Sequence, residues 1–302
     1  MDTLKPAQRA RARAQQRSEA LTAYVFLAPY LFIFLTFTLF AVGYAFYLSF
    51  TKYNLLTPPE WWGLEGYKRV LEDDLFMTKA LPNTFKFVAI VVPIQTAVSL
   101  LLAFALDQKL RARRLFRTIY YLPSVTSSVV ISLIFVWLFR PQGVINQIFQ
   151  LNVDWLGSPD TAFYIIMLLN IFTTSGTLML IFLAGLQDIP NHLYEAAQVD
   201  GANKAQTFFL VTVPMLRPVV FFVVTVGLIG CFQVFDQIFV MTQGGPLDST
   251  TTVSYVIYKW AFSDTSVKMG QASAVAFILA LIILVVTFIQ RRFIEGRDNT
   301  EA

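Results

Sequence analysis

The sequence predicts an all-α polytopic membrane protein with six transmembrane helices, and three observations lead there. Of its 302 residues, 56% are hydrophobic and only 14% are charged, where a soluble domain carries about 25% charge. Six apolar stretches are each long enough to cross a hydrocarbon core, which takes about 20 helical residues. The alternating polar-in strands of a barrel are absent, so backbone groups in lipid must be satisfied within helices.

The spans read as Tyr24–Phe50, Thr84–Leu106, Thr118–Phe139, Ala162–Leu186, Phe208–Val240 and Met269–Ile289. The first and fifth exceed the length needed and are expected to tilt, kink or protrude. The first is also far longer than the 7–15 apolar residues typical of a signal peptide, so it is expected to be retained. Pro93 and Pro123 lie within or near spans two and three, where proline can kink a helix. The loop Thr51–Asn83 is expected outside. Its Trp61, Trp62 and Tyr67 suit a membrane–water belt, its Glu72-Asp73-Asp74 run should face water, and Gly66–Leu75 fits a short surface helix. A turn, Thr242-Gln243-Gly244-Gly245-Pro246, ends span five.

Lys and Arg placement orients the helices, because cytoplasmic loops carry the excess. Lys5, Arg9, Arg11, Arg13 and Arg17 precede span one, and Lys109, Arg111, Arg113, Arg114 and Arg117 follow span two. Lys204 and Arg217 lie between spans four and five, and Arg291, Arg292 and Arg297 follow span six. These fifteen of 23 basic residues fall on one side, so both termini are expected in the cytoplasm. The organisation expected is a basic cytoplasmic tail over 1–23, a six-helix domain over 24–290 and a second tail over 291–302. A basic tail pinned at a bilayer is a topology signal and not a nucleic-acid site. Cys231 is the only cysteine and His192 the only histidine, which excludes an internal disulfide and a cysteine metal cluster. Clustered acid, His or Cys residues, which a membrane enzyme would need, are missing.

Between spans four and five lies a polar stretch, 189–218. It contains Glu195-Ala196-Ala197, then Gly201, then Val211-Thr212-Val213-Pro214. Pro190 and Pro214 bracket its core, and Gly201 lets the backbone turn sharply. Leu193, Ala196, Ala197 and Asp200 follow i, i+3, i+4, i+7 spacing and share a helix face, whose alanines allow close approach. Glu195 is expected early in the helix, where the dipole favours an anion and a partner's Arg or Lys can pair with it.

This spacing resembles the EAA loop of permease subunits in ATP-driven, binding-protein-dependent (ABC) importers, and the resemblance covers residues 20–295. The turn at 242–246, after Phe235–Val240, is similar to the outer end of span five in carbohydrate permeases of the maltose-permease type. The resemblance implies the type I importer permease fold in a prokaryotic inner membrane. It implies a heterodimer with a second related permease, two ATPase subunits and an external or periplasmic solute-binding protein. It also implies that the helix carrying Leu193, Glu195, Ala196, Ala197, Asp200 and Gly201 docks in a cleft of the ATPase. The chain has no Gly-x-x-x-x-Gly-Lys-Ser/Thr phosphate cradle. No cofactor is therefore expected in it, and ATP and magnesium belong to the partner ATPase.

The spans carry almost no ionisable group at mid-depth, where a charge costs about 2.5–3.5 kcal/mol and is usually kept for proton or ion paths. That disfavours a proton-coupled carrier and favours a neutral, hydroxyl-rich solute. Hydroxyls and amides can read sugar hydroxyls as donors and acceptors, and can equally hold helices together. Asn170, Thr173, Thr174, Ser175, Thr177 and Gln233 are the mid-span polar residues, with Ser124, Thr126, Ser127 and Ser128 at the start of span three. Register against the maltose-type family implies solute contacts at Asn170, Thr173, Thr174 and Thr177. It implies them also at Cys231 and Val234, where the family member has asparagines, and at Ser124, where it has a tyrosine. The function expected is import of a sugar or oligosaccharide. A permease of the same class for glycerol-phosphate-like solutes, amino acids or polyamines is the alternative, with a secondary carrier further behind.

Overall fold

The structure is a computed structural model that describes residues 19, 22–108, 112–263 and 268–295. Tail residues Lys5 to Arg17, together with Lys109, Arg111 and Arg297, lie outside the described residues. Helix α1 (Thr22–Ser49) is the first of six helices long and apolar enough to cross a membrane. A two-residue antiparallel ladder follows, β1 (Thr51–Lys52) against β2 (Glu60–Trp61), a small addition to the all-α expectation. The expected surface helix is α2 (Glu65–Glu72), and the second span is α3 (Leu75–Asp107). Next come α4 (Arg113–Val125), α5 (Ser128–Phe139) and α6 (Val144–Phe149), then the fourth span, α7 (Ala162–Gln187). The polar stretch forms α8 (Asn191–Val199) and α9 (Lys204–Thr207), which runs on through a π-helical turn, Phe208–Thr212. The fifth span is α10 (Arg217–Phe232) with α11 (Asp236–Met241), followed by α12 (Val253–Tyr258) and the sixth span within α13 (Met269–Glu295).

Two spans expected to be continuous are broken. The third stops at Val125 and restarts at Ser128, and the fifth stops at Phe232 and restarts at Asp236. Irregular backbone at membrane depth is tolerated only where protein supplies its hydrogen bonds, and here it does. The Thr252 hydroxyl donates to the Val234 carbonyl at 3.2 Å, and the Ser254 hydroxyl to the Phe232 carbonyl at 3.3 Å. The segment after the 242–246 turn thus folds back to close the gap in span five. Asn83 holds that segment from α3, its amide nitrogen donating to the carbonyls of Asp248 and Thr251 at 3.2 and 3.0 Å.

The core is built on α3 and α7, the most extensively packed pair. Phe87, Phe163, Ile166 and Leu169 meet Phe232, Ile238, Val253 and Trp260 in one apolar cluster. A second cluster, with Leu183, Leu186 and Leu216, lies toward α8. By contrast, none of the apolar window of α1 is buried, against 56% in α7. Helix α1 meets α13 in its last turns, where Phe46 and Phe277 pack edge-on at 5.0 Å. The rest of α1 needs lipid or another chain to cover it.

Candidate functional site

The break between α4 and α5 faces the middles of α7 and α10, and a cavity of about 350 Å³ opens there. Its size is at the lower end of ligand pockets, which span about 300–1,000 Å³. Ser124 and Thr126 line it from α4 and the break, and Ser128 from the start of α5. Asn170, Thr173, Thr174 and Thr177 line it from α7, and Cys231, Gly227 and Gly230 from α10. Gln95 and Gln237, from α3 and α11, complete the polar lining. No Asp, Glu, Lys, Arg or His lines it among the described residues.

Six residues expected at a solute site therefore share one cavity, and two do not. Gln233 is exposed and off the lining, while Val234 is buried in the apolar core. The family register puts Val234 there and mid-span polarity puts Gln233 there, in a span expected to run unbroken to 240. Because α10 ends at Phe232, the 100° per residue ladder stops there and both side chains turn elsewhere. Gln95, which the sequence reading passed over, proves central. It is 1% exposed, and the Thr174 hydroxyl lies 2.8 Å from its Oε1. Its Nε2 faces the Cys231 thiol at 3.9 Å, which in turn lies 4.0 Å from Asn170 Oδ1. Sulfur is a weak hydrogen-bonding partner, so the two amides are only lightly committed on that side. A buried amide inside an apolar helix was the available signal.

Ser124 does both jobs that the sequence left open. It lines the cavity, yet its hydroxyl donates to the Thr173 carbonyl at 2.6 Å and accepts the Thr177 backbone N–H at 3.1 Å. Gly176 makes that contact possible, because a Cβ there would collide with the Tyr120 carbonyl. Thr173 likewise bonds its own helix, its hydroxyl 3.0 Å from the Leu169 carbonyl.

Helix α8 ends in a tightly specified elbow. Gly201 has φ +76°, and its N–H donates to Gln198 while that of Ala202 donates to Ala197, at 3.1 and 2.9 Å. This is the Schellman arrangement, in which glycine takes the left-handed position without strain. Asn203 then opens α9 with a capping box, its side chain accepting from Gln206 N while Gln206 Oε1 accepts from Asn203 N. The expected docking face of α8 needs rotating. Leu193 and Ala197 turn inward, with Ala197 buried and Leu193 packed on the Leu186–Leu216 cluster. The exposed stripe is His192, Glu195, Ala196 and Val199, with Asp200 at the exposed end and Val199 87% exposed. Packing half-buried Leu193 on that cluster fixes the rotation. Glu195 is the fifth residue of α8, beyond the first turn where the dipole acts, so its dipole argument does not hold. Tyr194 ties α8 to the π-helical turn that leads into span five, its hydroxyl 3.3 Å from that of Thr212.

Residues 95–297 match the family described as the binding-protein-dependent transport system inner membrane component. The chain belongs to that family. The matched region holds the whole cavity lining, from Gln95 to Gln237, and the α8 elbow. The probable ABC transporter permease protein YesP of Bacillus subtilis is 36% identical over 281 residues, covering 90% of each chain. The arabinooligosaccharides transport system permease protein AraP of Halalkalibacterium halodurans is 33% identical, covering 90% of this chain and 87% of its own. Among solved structures, a bacterial ABC transporter involved in the import of the acidic polysaccharide alginate has a chain that superposes with a TM-score of 0.82. It is 22% identical and covers 94% of this chain and 99% of that one. At that identity the likeness establishes the fold, which is that of an ABC importer permease.

Proposed function

We propose that this membrane component passes a neutral sugar or short oligosaccharide into the cytoplasm, driven by ATP hydrolysed on separate subunits. The observation that carries the reading is the cavity lining, with three amides and several hydroxyls and no charged side chain among the described residues. Amides and hydroxyls offer donors and acceptors in the mixture a sugar presents. A phosphate or an acidic sugar would need an Arg or Lys there. The arabinooligosaccharide role in the name of AraP is in keeping with this chemistry.

The remaining parts follow from the same reading. A second related permease covers the exposed α1 and the apolar outer side of α4, where Leu115, Ile119 and Leu122 are exposed. Both termini and α8 face the cytoplasm. There the Glu195–Ala196–Val199 stripe sits in a cleft of one of two ATPase subunits, which hold ATP and magnesium. An external solute-binding protein delivers the sugar from the side of α2. The Schellman elbow and the Tyr194–Thr212 contact make α8 a stiff lever on span five. Purification of the tagged chain from its own membranes tests this. A second permease and an ATPase should co-purify, with ATP hydrolysis stimulated by a sugar-loaded binding protein. Recovery of the intact chain with no ATPase would contradict the proposal.

A further inference from the structure

We propose that a groove behind α8 is a binding site for one anionic phospholipid. The groove lies between the end of α3, helix α8 and the start of span five, and encloses about 730 Å³, roughly twice the solute cavity. Its wall is aromatic, with Phe104 and Phe208 edge-on at 4.8 Å and Phe208 and Phe209 at 5.1 Å. Its polar members include Lys204, Gln108 and Gln198, and no carboxylate lines it among the described residues. Leu101 and Phe209 line it while standing 61% and 67% exposed, and the neighbouring Leu210 is 72% exposed. The apolar wall therefore runs out onto a surface suited to lipid.

A water-soluble metabolite gains little from a mouth that opens onto apolar surface. A molecule with one charged end and a long apolar tail matches both parts. Its acyl chain would lie along Phe104, Phe208 and Phe209, and its phosphate would meet the Lys204 ammonium and an amide donor in charge-assisted hydrogen bonds. Lys204 is the one charged residue in the lining among the described residues. The inference rests on the orientation proposed above, which puts the groove in the inner leaflet. It adds a role for the lipid: it wedges α8 against span five beside the Tyr194–Thr212 contact.

The test uses the assembled complex in nanodiscs of phosphatidylcholine doped with a photoactivatable phosphatidylglycerol. Labelling should fall on peptides spanning 101–108 and 194–212. Lys204→Gln, which removes charge, and Ala205→Trp, which fills volume, should each lower that labelling at least fivefold. Photoactivatable phosphatidylcholine should label the same peptides far less. Equal labelling in all three proteins, equal labelling by the two lipids, or crosslinks from the second permease inside the groove would overturn the proposal. None of these readouts involves transport, so they stand apart from the identity of the solute.

Discussion

Replacing Gln95 with leucine separates solute recognition from helix packing. The substitution keeps most of the side-chain bulk and removes the amide, both its acceptor and its donor, from the cavity lining. Thr174 loses the acceptor 2.8 Å away but keeps the Asn170 carbonyl at 2.7 Å, so no hydroxyl is orphaned. The structural cost is then the interhelical hydrogen bond to Thr174, about 0.6 kcal/mol on average in a membrane protein, together with the weak contact to the Cys231 thiol. A solute that used the amide loses one neutral hydrogen bond, worth about 0.5–1.5 kcal/mol, which is about a 2- to 12-fold drop in apparent affinity at 1.4 kcal/mol per decade. Concentration-dependent uptake and stimulated ATP hydrolysis should be measured on the same reconstituted preparation. Uptake at low solute should fall by that factor while ATP hydrolysis and melting temperature hold. Unchanged uptake, or a parallel loss of uptake, ATP hydrolysis and melting temperature, would refute the role given to Gln95.

Four further outcomes are expected. Gly176→Ala forces a Cβ against the Tyr120 carbonyl, an overpacking that costs about 1–3 kcal/mol, so thermal unfolding in detergent should begin several degrees lower. Thr252→Val leaves the Val234 carbonyl without its donor, at a cost of about 1–3 kcal/mol for an unsatisfied buried group. It should lower the melting temperature, whereas Thr252→Ser should restore it. Gly201→Val places a branched residue at φ +76°, a strain of about 1–2 kcal/mol, and should reduce ATPase retention and uptake together. A cysteine at Glu72 should react with an impermeant thiol reagent in intact cells, and one at Asn299 only after permeabilisation; the reverse pattern would invert the topology.

Much of this molecule was legible in its chain. Apolar length alone found six spans, because the bilayer sets one thickness for every helix, though the third, expected at Thr118–Phe139, runs over Ser128–Phe149. The 195–201 spacing located the elbow, because only glycine sits easily where Gly201 must turn. The break in span three had a signal in Pro123, two residues before α4 ends. The break in span five was not legible, because it depends on partners far along the chain, such as Thr252 reaching back to Val234, and apolarity persists across it. The same blindness puts Gln233 and Val234 at the cavity, since a place within an expected span says nothing of where a side chain points past an end that tertiary contacts create. The face of α8 was misjudged for a related reason. Alanine is compatible with either side, and the packing of half-buried Leu193 on the cluster that holds Leu183, Leu186 and Leu216 decides the rotation.

The most direct test is uptake by proteoliposomes that hold the chain with its second permease and ATPase. A labelled neutral oligosaccharide, an acidic one and a phosphorylated one should be offered with the cognate binding protein. The neutral sugar should accumulate only with ATP on the ATPase side and binding protein on the other, and neither charged solute should compete. Accumulation of the neutral sugar driven by a proton gradient without ATP, or ATP-driven uptake of a charged solute in its place, would contradict the account.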